Sequence, residues 1–192
     1  MDMTGKTVAV VGLGKSGAAT ALFLKRRGAM VTLTDMAEAG DIDEMLVSDV
    51  EAAGINLELG GHKDETFLAA DFIVISPGVP LSITPVQKAL GKNIPVIGEI
   101  ELAATFLTKP VIAVTGTNGK TTTTTLIGDM LRASGQTVFV GGNIGAPLIG
   151  FVDQGAKAQV VVVEVSSFQL DTIVRFRPTV GVILNITEDH LA

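Results

Sequence analysis

The 192-residue chain has no cysteine, no tryptophan and no tyrosine, and only two histidines. Without cysteine there is no disulfide framework, no thiol nucleophile and no zinc–thiolate site, and the absence fits a reducing compartment. Positive charge is not in excess: 14 lysines and arginines face 20 aspartates and glutamates, for a formal net charge of −6. A general nucleic-acid binder carries a basic face, so the balance argues against that class. An anionic ligand has to be held by local donors, not by the global field. No apolar run approaches the roughly twenty residues of a membrane span. The N-terminus, Met1-Asp2-Met3-Thr4-Gly5-Lys6, lacks the basic-then-apolar pattern of a signal peptide. These absences point to a soluble cytoplasmic protein with no nucleic-acid partner and no membrane insertion. What is present is apolar: 47% hydrophobic against 18% charged, enough for a substantial core.

The chain is organised around Val111-Ile112-Ala113-Val114-Thr115-Gly116-Thr117-Asn118-Gly119-Lys120-Thr121-Thr122. Apolar residues run into a Gly-rich turn that ends in Lys-Thr, and a helical pattern follows. Strand, loop and helix in that order make a phosphate cradle. The turn aims backbone N–H groups at one oxyanion, and the first helical turn adds unpaired donors and the positive end of the dipole. Lys120 supplies a mobile charge for outer phosphates, and Thr121 a hydroxyl able to ligate Mg²⁺. The loop is not the standard Walker A: the position of its first glycine is taken by Val114, and Gly116 lies only three residues before Gly119.

A second glycine loop lies near the start. Thr7-Val8-Ala9-Val10-Val11 reads as a buried strand running into Gly12-Leu13-Gly14-Lys15-Ser16-Gly17, then a helix stopped at Gly28, then a strand from Met30 ending in Asp35. This is a βαβ unit with the dinucleotide-binding fingerprint and its acid. Asp35 suits a ribose hydroxyl or a base N–H; the motif does not say which nucleotide. The strand Phe72–Ile75 delivers Ser76-Pro77-Gly78-Val79-Pro80 at its carboxyl end, where ligands of open α/β sheets bind, although a rigid proline turn explains the same residues.

Asp41 to Ala53 reads as a polar helix, Asn56 to Leu59 as a short strand, His62 as a solvated loop residue, and Gly98 to Thr108 as helical. Lys109-Pro110 is the best domain boundary. In the second half Leu126, Ile127, Met130 and Leu131 form one helical face, and Thr137–Val140 is a strand leading to Gly141-Gly142-Asn143. The valine run ending at Val163 marks a strand buried on both faces that delivers Glu164, placed to bind Mg²⁺ or position water. Thr179 to Leu184 reads as another buried strand, followed by Asn185-Ile186-Thr187-Glu188-Asp189-His190. The fold class is α/β: a Rossmann-like parallel-sheet domain over residues 1–109, then a partial P-loop ATPase-like domain over residues 110–192.

Gly116-Thr117-Asn118-Gly119-Lys120-Thr121-Thr122 is similar to the ATP loop that the Mur ligases of peptidoglycan synthesis share with folylpolyglutamate synthases. Gly12 to Gly17, Ser76 to Pro80, and Val163-Glu164-Val165-Ser166-Ser167-Phe168-Gln169-Leu170 together resemble the D-glutamate-adding branch of the Mur ligases. The resemblance implies that the first domain binds a UDP-sugar, not NAD. Gly14, Lys15, Ser16, Asp35, Ser76, Pro77 and Gly78 would hold uridine and diphosphate, and Asn143, Gln169 and His190 the muramoyl portion. Gly116 to Thr122, with Lys120 foremost, would hold ATP; Thr121 and Glu164 would bind one Mg²⁺ and His190 a second. Lys120, Glu164 and His190 would be the catalytic set. The implied partners are UDP-N-acetylmuramoyl-L-alanine and D-glutamate, joined through an acyl phosphate, with a monomeric full-length enzyme.

Family members continue through a carbamylated lysine to a C-terminal domain that binds D-glutamate, and they usually read Asp-His-Leu-Asp where this chain has Asp189-His190-Leu191-Ala192. The expectation is a truncated form that keeps part of both nucleotide sites, lacks ligase activity and self-associates through an exposed sheet edge. Three other readings stand beside it: a non-catalytic nucleotide-binding module, a folylpolyglutamate synthase-like ligase, and an NAD(P)-dependent oxidoreductase built on Gly12 to Gly17.

Overall fold

A computed structural model of the chain describes residues 2–155 and 157–187. Among these residues the strands form two all-parallel sheets. The first contains β1 (Thr7–Val11), β2 (Met30–Thr34), β3 (Asn56–Glu58), β4 (Phe72–Ile75) and β5 (Val96–Gly98), in spatial order β3-β2-β1-β4-β5. Helices α1 (Lys15–Arg26), α2 (Glu44–Ala52), α3 (Asp64–Leu68) and α4 (Thr84–Gly91) make the crossovers. The central strands are continuous apolar runs because both faces are covered: every residue of β4, and all of β1 but Thr7, is buried. β1 pairs with β2 on one side and β4 on the other, Val8 lying beside both Val31 and Phe72. The chain winds outward from β1 in one direction, then from β4 in the other. The crevice at the β1/β4 switch point is where such sheets take ligands.

The second sheet contains β6 (Val111–Thr115), β7 (Val138–Gly142), β8 (Val160–Glu164) and β9 (Val180–Ile183), in order β7-β8-β6-β9. It carries α6 (Lys120–Ala133), α7 (Leu148–Gln154) and the short α8 (Ser167–Leu170). The four strand ends that carry the second glycine loop, Asn143, Glu164 and Asn185 thus lie along one edge of a parallel sheet.

α5 (Glu99–Ala104) follows β5 and welds the two sheets together. Its Ile100, Leu102 and Ala103 join Phe23 and Leu24 of α1, Leu148, Ile149 and Phe151 of α7, and Val161 and Val163 of β8 in one buried cluster. Glu101, also buried, accepts hydrogen bonds from the backbone N–H groups of Val174, Arg175 and Phe176 at 2.9 to 3.0 Å. Arg26 and Asp153 form an ion pair between α1 and α7.

Several expectations need correction. β9 is an exposed edge strand, not a buried one, with Ile183 67% exposed. On α6 the inward positions are Thr124 and Gly128, while Leu126 and Met130 face solvent. The hydrophobic face was placed by residue type, but a glycine gives the closest approach to the sheet. His62 is half-buried: its Nδ1 lies 2.8 Å from the Thr34 hydroxyl and its ring packs edge-on against Phe67. Burial holds its pKa below the usual value against the pull of Asp35 and Glu58. The polar segment 41–53 starts its α-helix only at Glu44, capped by the Asp43 carboxylate. α5 ends at Ala104, four residues earlier than the 98–108 reading. α7 and α8 were not read from the sequence.

Candidate active site

Both glycine loops are built alike. Each leaves the carboxyl end of a central strand and opens a helix with lysine as its first residue, Lys15 in α1 and Lys120 in α6. Neither helix has a side-chain cap or an acidic residue in its first turn. Two uncapped positive helix ends therefore face the same edge of the molecule.

In the first loop Gly12 turns the chain at φ +96°, and a side chain on Gly17 would place its Cβ 1.8 Å from the Gly12 carbonyl oxygen. The Ser76 hydroxyl donates to that same oxygen at 2.9 Å, tying the Ser76-Pro77-Gly78 turn to the loop. Gly14 differs: a Cβ there would meet no protein atom within 4 Å. The missing side chain leaves room on the cavity side, not for packing. Asp35 accepts from the backbone N–H of Leu13 at 2.5 Å and of Ala37 at 2.9 Å, so its carboxylate sets the shape of the loop as well as lining the cleft.

In the second loop Gly119 is left-handed, at φ +83°, and begins α6. The Lys120 ammonium donates to the carbonyls of Gly116 and Thr117 at 2.8 and 2.9 Å. Thr121 donates its hydroxyl to Glu164 Oε2 at 2.8 Å, and the Asn143 side-chain amide donates to Glu164 Oε1 at 2.9 Å. Glu164 is only 2% exposed and thus holds the phosphate-loop helix and the Asn143 loop together.

A cavity of about 450 Å³ is bounded by Gly14, Lys15, Ser16, Asp35, Ser76, Pro77 and Asn143. A second, of about 600 Å³, is bounded by Pro77, Gly78, Gly116, Thr117, Lys120, Asn143 and Asn185, with Phe168 on its wall. Pro77 and Asn143 border both, so the cavities at the two loops adjoin. Asn118, Gly119 and Thr122 complete the phosphate loop and the first turn of α6. Gln169 is 4% exposed, its side-chain Oε1 accepts from the Ser166 N–H at 2.9 Å, and it borders a third cavity of about 280 Å³ that shares Pro77, Gly78 and Phe168 with the second. His190, assigned to catalysis, metal and substrate, lies outside the described residues.

Sequence reasoning missed α8, although Ser166-x-x-Gln169 has the spacing of the capping box seen there. It also gave no role to Asn185 and Thr187, which bond the phosphate loop. Their only signal was position, just beyond a strand's carboxyl end. Among the described residues no three His, Asp or Glu side chains gather as a metal cluster. Thr121 and Glu164 do bring a hydroxyl and a carboxylate oxygen together beside the loop, a pair of hard oxygens of the kind Mg²⁺ takes when phosphates and waters complete its shell.

Residues 6–98 match the family model for the Mur ligase MurD-like N-terminal domain, and residues 114–192 match that for the Mur ligase middle domain. The chain belongs to the Mur ligase family. This Mur ligase chain is 65% identical over all 192 residues to the UDP-N-acetylmuramoylalanine–D-glutamate ligase of Desulfosudis oleivorans, and 55% identical over 191 residues to that of Geotalea daltonii. It spans 42% of the length of each. Among solved Mur ligases, the UDP-N-acetylmuramate–alanine ligase of Thermotoga maritima matches with a TM-score of 0.55 at 23% identity, over 97% of this chain and 43% of that one. The UDP-N-acetylmuramate:L-alanyl-γ-D-glutamyl-meso-diaminopimelate ligase of Neisseria meningitides matches with a TM-score of 0.59 at 20% identity, over 98% of this chain and 63% of that one. These two show the shared α/β fold. No helix among the described residues is long and apolar enough to cross a membrane.

Proposed function

We propose that this chain carries the UDP-sugar and ATP sides of a cytoplasmic ligase that joins D-glutamate to UDP-N-acetylmuramoyl-L-alanine. The observation that supports the reading is that the cavities at the two glycine loops adjoin, with Pro77 and Asn143 as shared walls. One extended substrate with a diphosphate at the Gly12 loop would place its far end beside the Lys120 loop. The names of the relatives at 65% and 55% identity support the choice of substrate.

In this reading residues 1–109 hold the UDP-sugar, through the N–H groups that open α1, Lys15, and the Ser76-Pro77-Gly78 turn. Residues 110–192 hold ATP. Lys120 exchanges two backbone carbonyls for phosphate oxygens, and the α6 N-terminus faces the same anion. Mg²⁺, held by Thr121 and Glu164, would offset the repulsion between a carboxylate nucleophile and a polyphosphate. Attack of the alanyl carboxylate on the γ-phosphate releases ADP and leaves an acyl phosphate. The D-glutamate amine then displaces phosphate and forms the amide. The chain's contribution is positioning and fixed charge. We further infer that the 192 residues alone bind without completing the reaction, since they correspond to 42% of the relatives; D-glutamate incorporation by the isolated chain would overturn this.

Calorimetric titration with UDP-N-acetylmuramoyl-L-alanine, Mg²⁺–ATP and NADH tests the assignment. The UDP-sugar is expected to bind, and Asp35→Ala to abolish that binding through collapse of the Leu13 contact. Clear NADH binding without UDP-sugar binding refutes the proposal.

A further inference from the structure

We propose that Asn185 is a positioning residue of the nucleotide site, a side-chain strap that sets the shape of the short phosphate loop. The proposal rests on the ATP reading of that loop. Beyond β9 the chain runs on beside the loop in the same parallel sense, the Leu184 N–H donating to the Thr115 carbonyl at 3.0 Å. The Thr117 N–H donates to the Asn185 carbonyl at 3.0 Å. The Asn118 N–H donates to Asn185 Oδ1, and Asn185 Nδ2 donates to the Asn118 carbonyl, both at 2.9 Å. Two residues on, the Thr187 N–H donates to the Thr117 hydroxyl and the Thr187 carbonyl accepts from it, both at 3.0 Å. The primary amide of Asn185 thus satisfies both backbone groups of one loop residue 67 positions earlier in the chain. Asn has the acceptor and donor side by side on one short stem that this requires.

Three consequences follow from that pairing. The first concerns Gly116: a Cβ there would stand 3.0 Å from the Asn185 backbone oxygen and 3.1 Å from its backbone nitrogen, a tight fit, and its φ of +136° is one that glycine adopts and L side chains rarely do. The second concerns the donors. The N–H groups of Thr117 and Asn118 point at the strap, which leaves those of Gly119 and the first turn of α6 for an anion. A standard Walker A loop has two more residues with which to wrap its ligand; here the strap sets the shape those residues would set. The third concerns Lys120, whose ammonium rests on the carbonyls of Gly116 and Thr117, the two residues that the strap lies against. Asn185 therefore governs where the lysine starts as well as where the donors point.

A role limited to tying β9 to the sheet would be felt as global stability and would affect every ligand alike. A positioning role is selective. Losing the two side-chain hydrogen bonds in Asn185→Ala, at ordinary strengths, corresponds to roughly ten- to a hundredfold in affinity for a ligand that needs the loop in place. The experiment titrates the unaltered chain and Asn185→Ala with Mg²⁺–ATP and with UDP-N-acetylmuramoyl-L-alanine. Thermal melting is recorded for both proteins. The expected result is Mg²⁺–ATP binding at least about tenfold weaker, with UDP-sugar affinity unchanged. Unchanged Mg²⁺–ATP affinity overturns the proposal and leaves the ATP reading standing. Equal weakening of both ligands with a lowered melting temperature also overturns it, as does an unaltered chain that binds no Mg²⁺–ATP, which refutes the ATP reading as well. A measurement on the unaltered chain guards against a variant that does not fold. Amide hydrogen exchange at Thr117 and Asn118 is expected to stay slow when Mg²⁺–ATP is added, because the strap persists; acceleration at both would mean that the nucleotide displaces it, and would refute the proposal.

Discussion

Glu99 makes the strongest test of how the two sheets are held together. It opens α5, is 1% exposed, and its Oε1 accepts from the N–H of Ile149 in the first turn of α7 at 2.5 Å, while its Oε2 has no hydrogen-bond partner among the described residues. Burial raises its pKa from 4.5 to about 7, against the opposing pull of the Ile149 and Leu148 N–H groups. The folded chain then holds a proton on Glu99, across that interval, that the unfolded chain has already released. Its contribution to stability is whole below about pH 4.5 and is lost as pH rises through about 7. The interval from 4.5 to about 7, at about 1.36 kcal/mol for each pH unit, amounts to about 3 kcal/mol, most of it falling between pH 5 and 8. Glu99→Gln keeps the acceptor for the α7 N–H groups and removes the titration. Urea unfolding of both proteins at steps from pH 5 to 8 should show the unaltered chain losing roughly 2–3 kcal/mol relative to the variant. Other carboxylates titrate in both proteins and cancel in the comparison. Two parallel stability profiles across this range would refute the reasoning, since they would mean that Glu99 is equally at ease charged in the folded state.

The first glycine loop separates packing from binding. Gly17→Ala forces a Cβ against the Gly12 carbonyl and should cost roughly 1–3 kcal/mol in denaturant unfolding. Gly14→Ala meets no protein atom and should leave the melting temperature unchanged while weakening UDP-sugar binding in calorimetry. Glu101→Ala strands three backbone N–H groups on the 174–176 segment and should cost roughly 2–4 kcal/mol, with Glu101→Gln recovering part. Lys120→Ala should abolish Mg²⁺–ATP binding with little change in melting temperature, because the lysine's partners are two part-buried loop carbonyls that water can reach once the side chain is gone.

The parts of the fold that are dictated locally were legible in the sequence. Val8 to Val11, Phe72 to Ile75 and the valines before Glu164 form continuous apolar runs that only a two-faced parallel strand explains, and the glycine loops after them fix where helices begin. What stayed hidden depends on partners distant in the chain. β9 has the composition of a central strand and lies at the edge, because nothing in four residues of sequence says which neighbours are present. Leu126 and Met130 face outward because Gly128 sets the approach of α6. Asn185 reads as one polar residue in a loop; its role appears only when residues 117 and 118 are brought beside it. At the candidate site Glu164 ends β8, Asp35 follows β2, and Lys120 and Thr121 open α6, positions that the strand–loop–helix pattern marks, whereas the capping box that holds Gln169 beside Ser166 shows only in the structure.

The two acids of α5 show that the junction is arranged for geometry more than for stability. An apolar residue in place of Glu99 would fill the same space without the cost of a buried carboxylate, and such replacements are often neutral or stabilising. What a methyl group cannot do is choose a direction. The Glu99 oxygen selects the N–H groups at the start of α7, and so fixes the rotation of a helix whose preceding loop carries Asn143. Glu101 grips three successive N–H groups of the segment that leads from α8 into β9, and so fixes the approach to Asn185. Asn143 borders the first cavity from the second sheet, and Asn185 hydrogen-bonds Thr117 and Asn118 of the second glycine loop. Under the proposed function one extended ligand spans both loops, and a fixed angle between the sheets then matters more than a few kcal/mol of extra stability, because a shift of about 1 Å in the reacting groups is costly to catalysis.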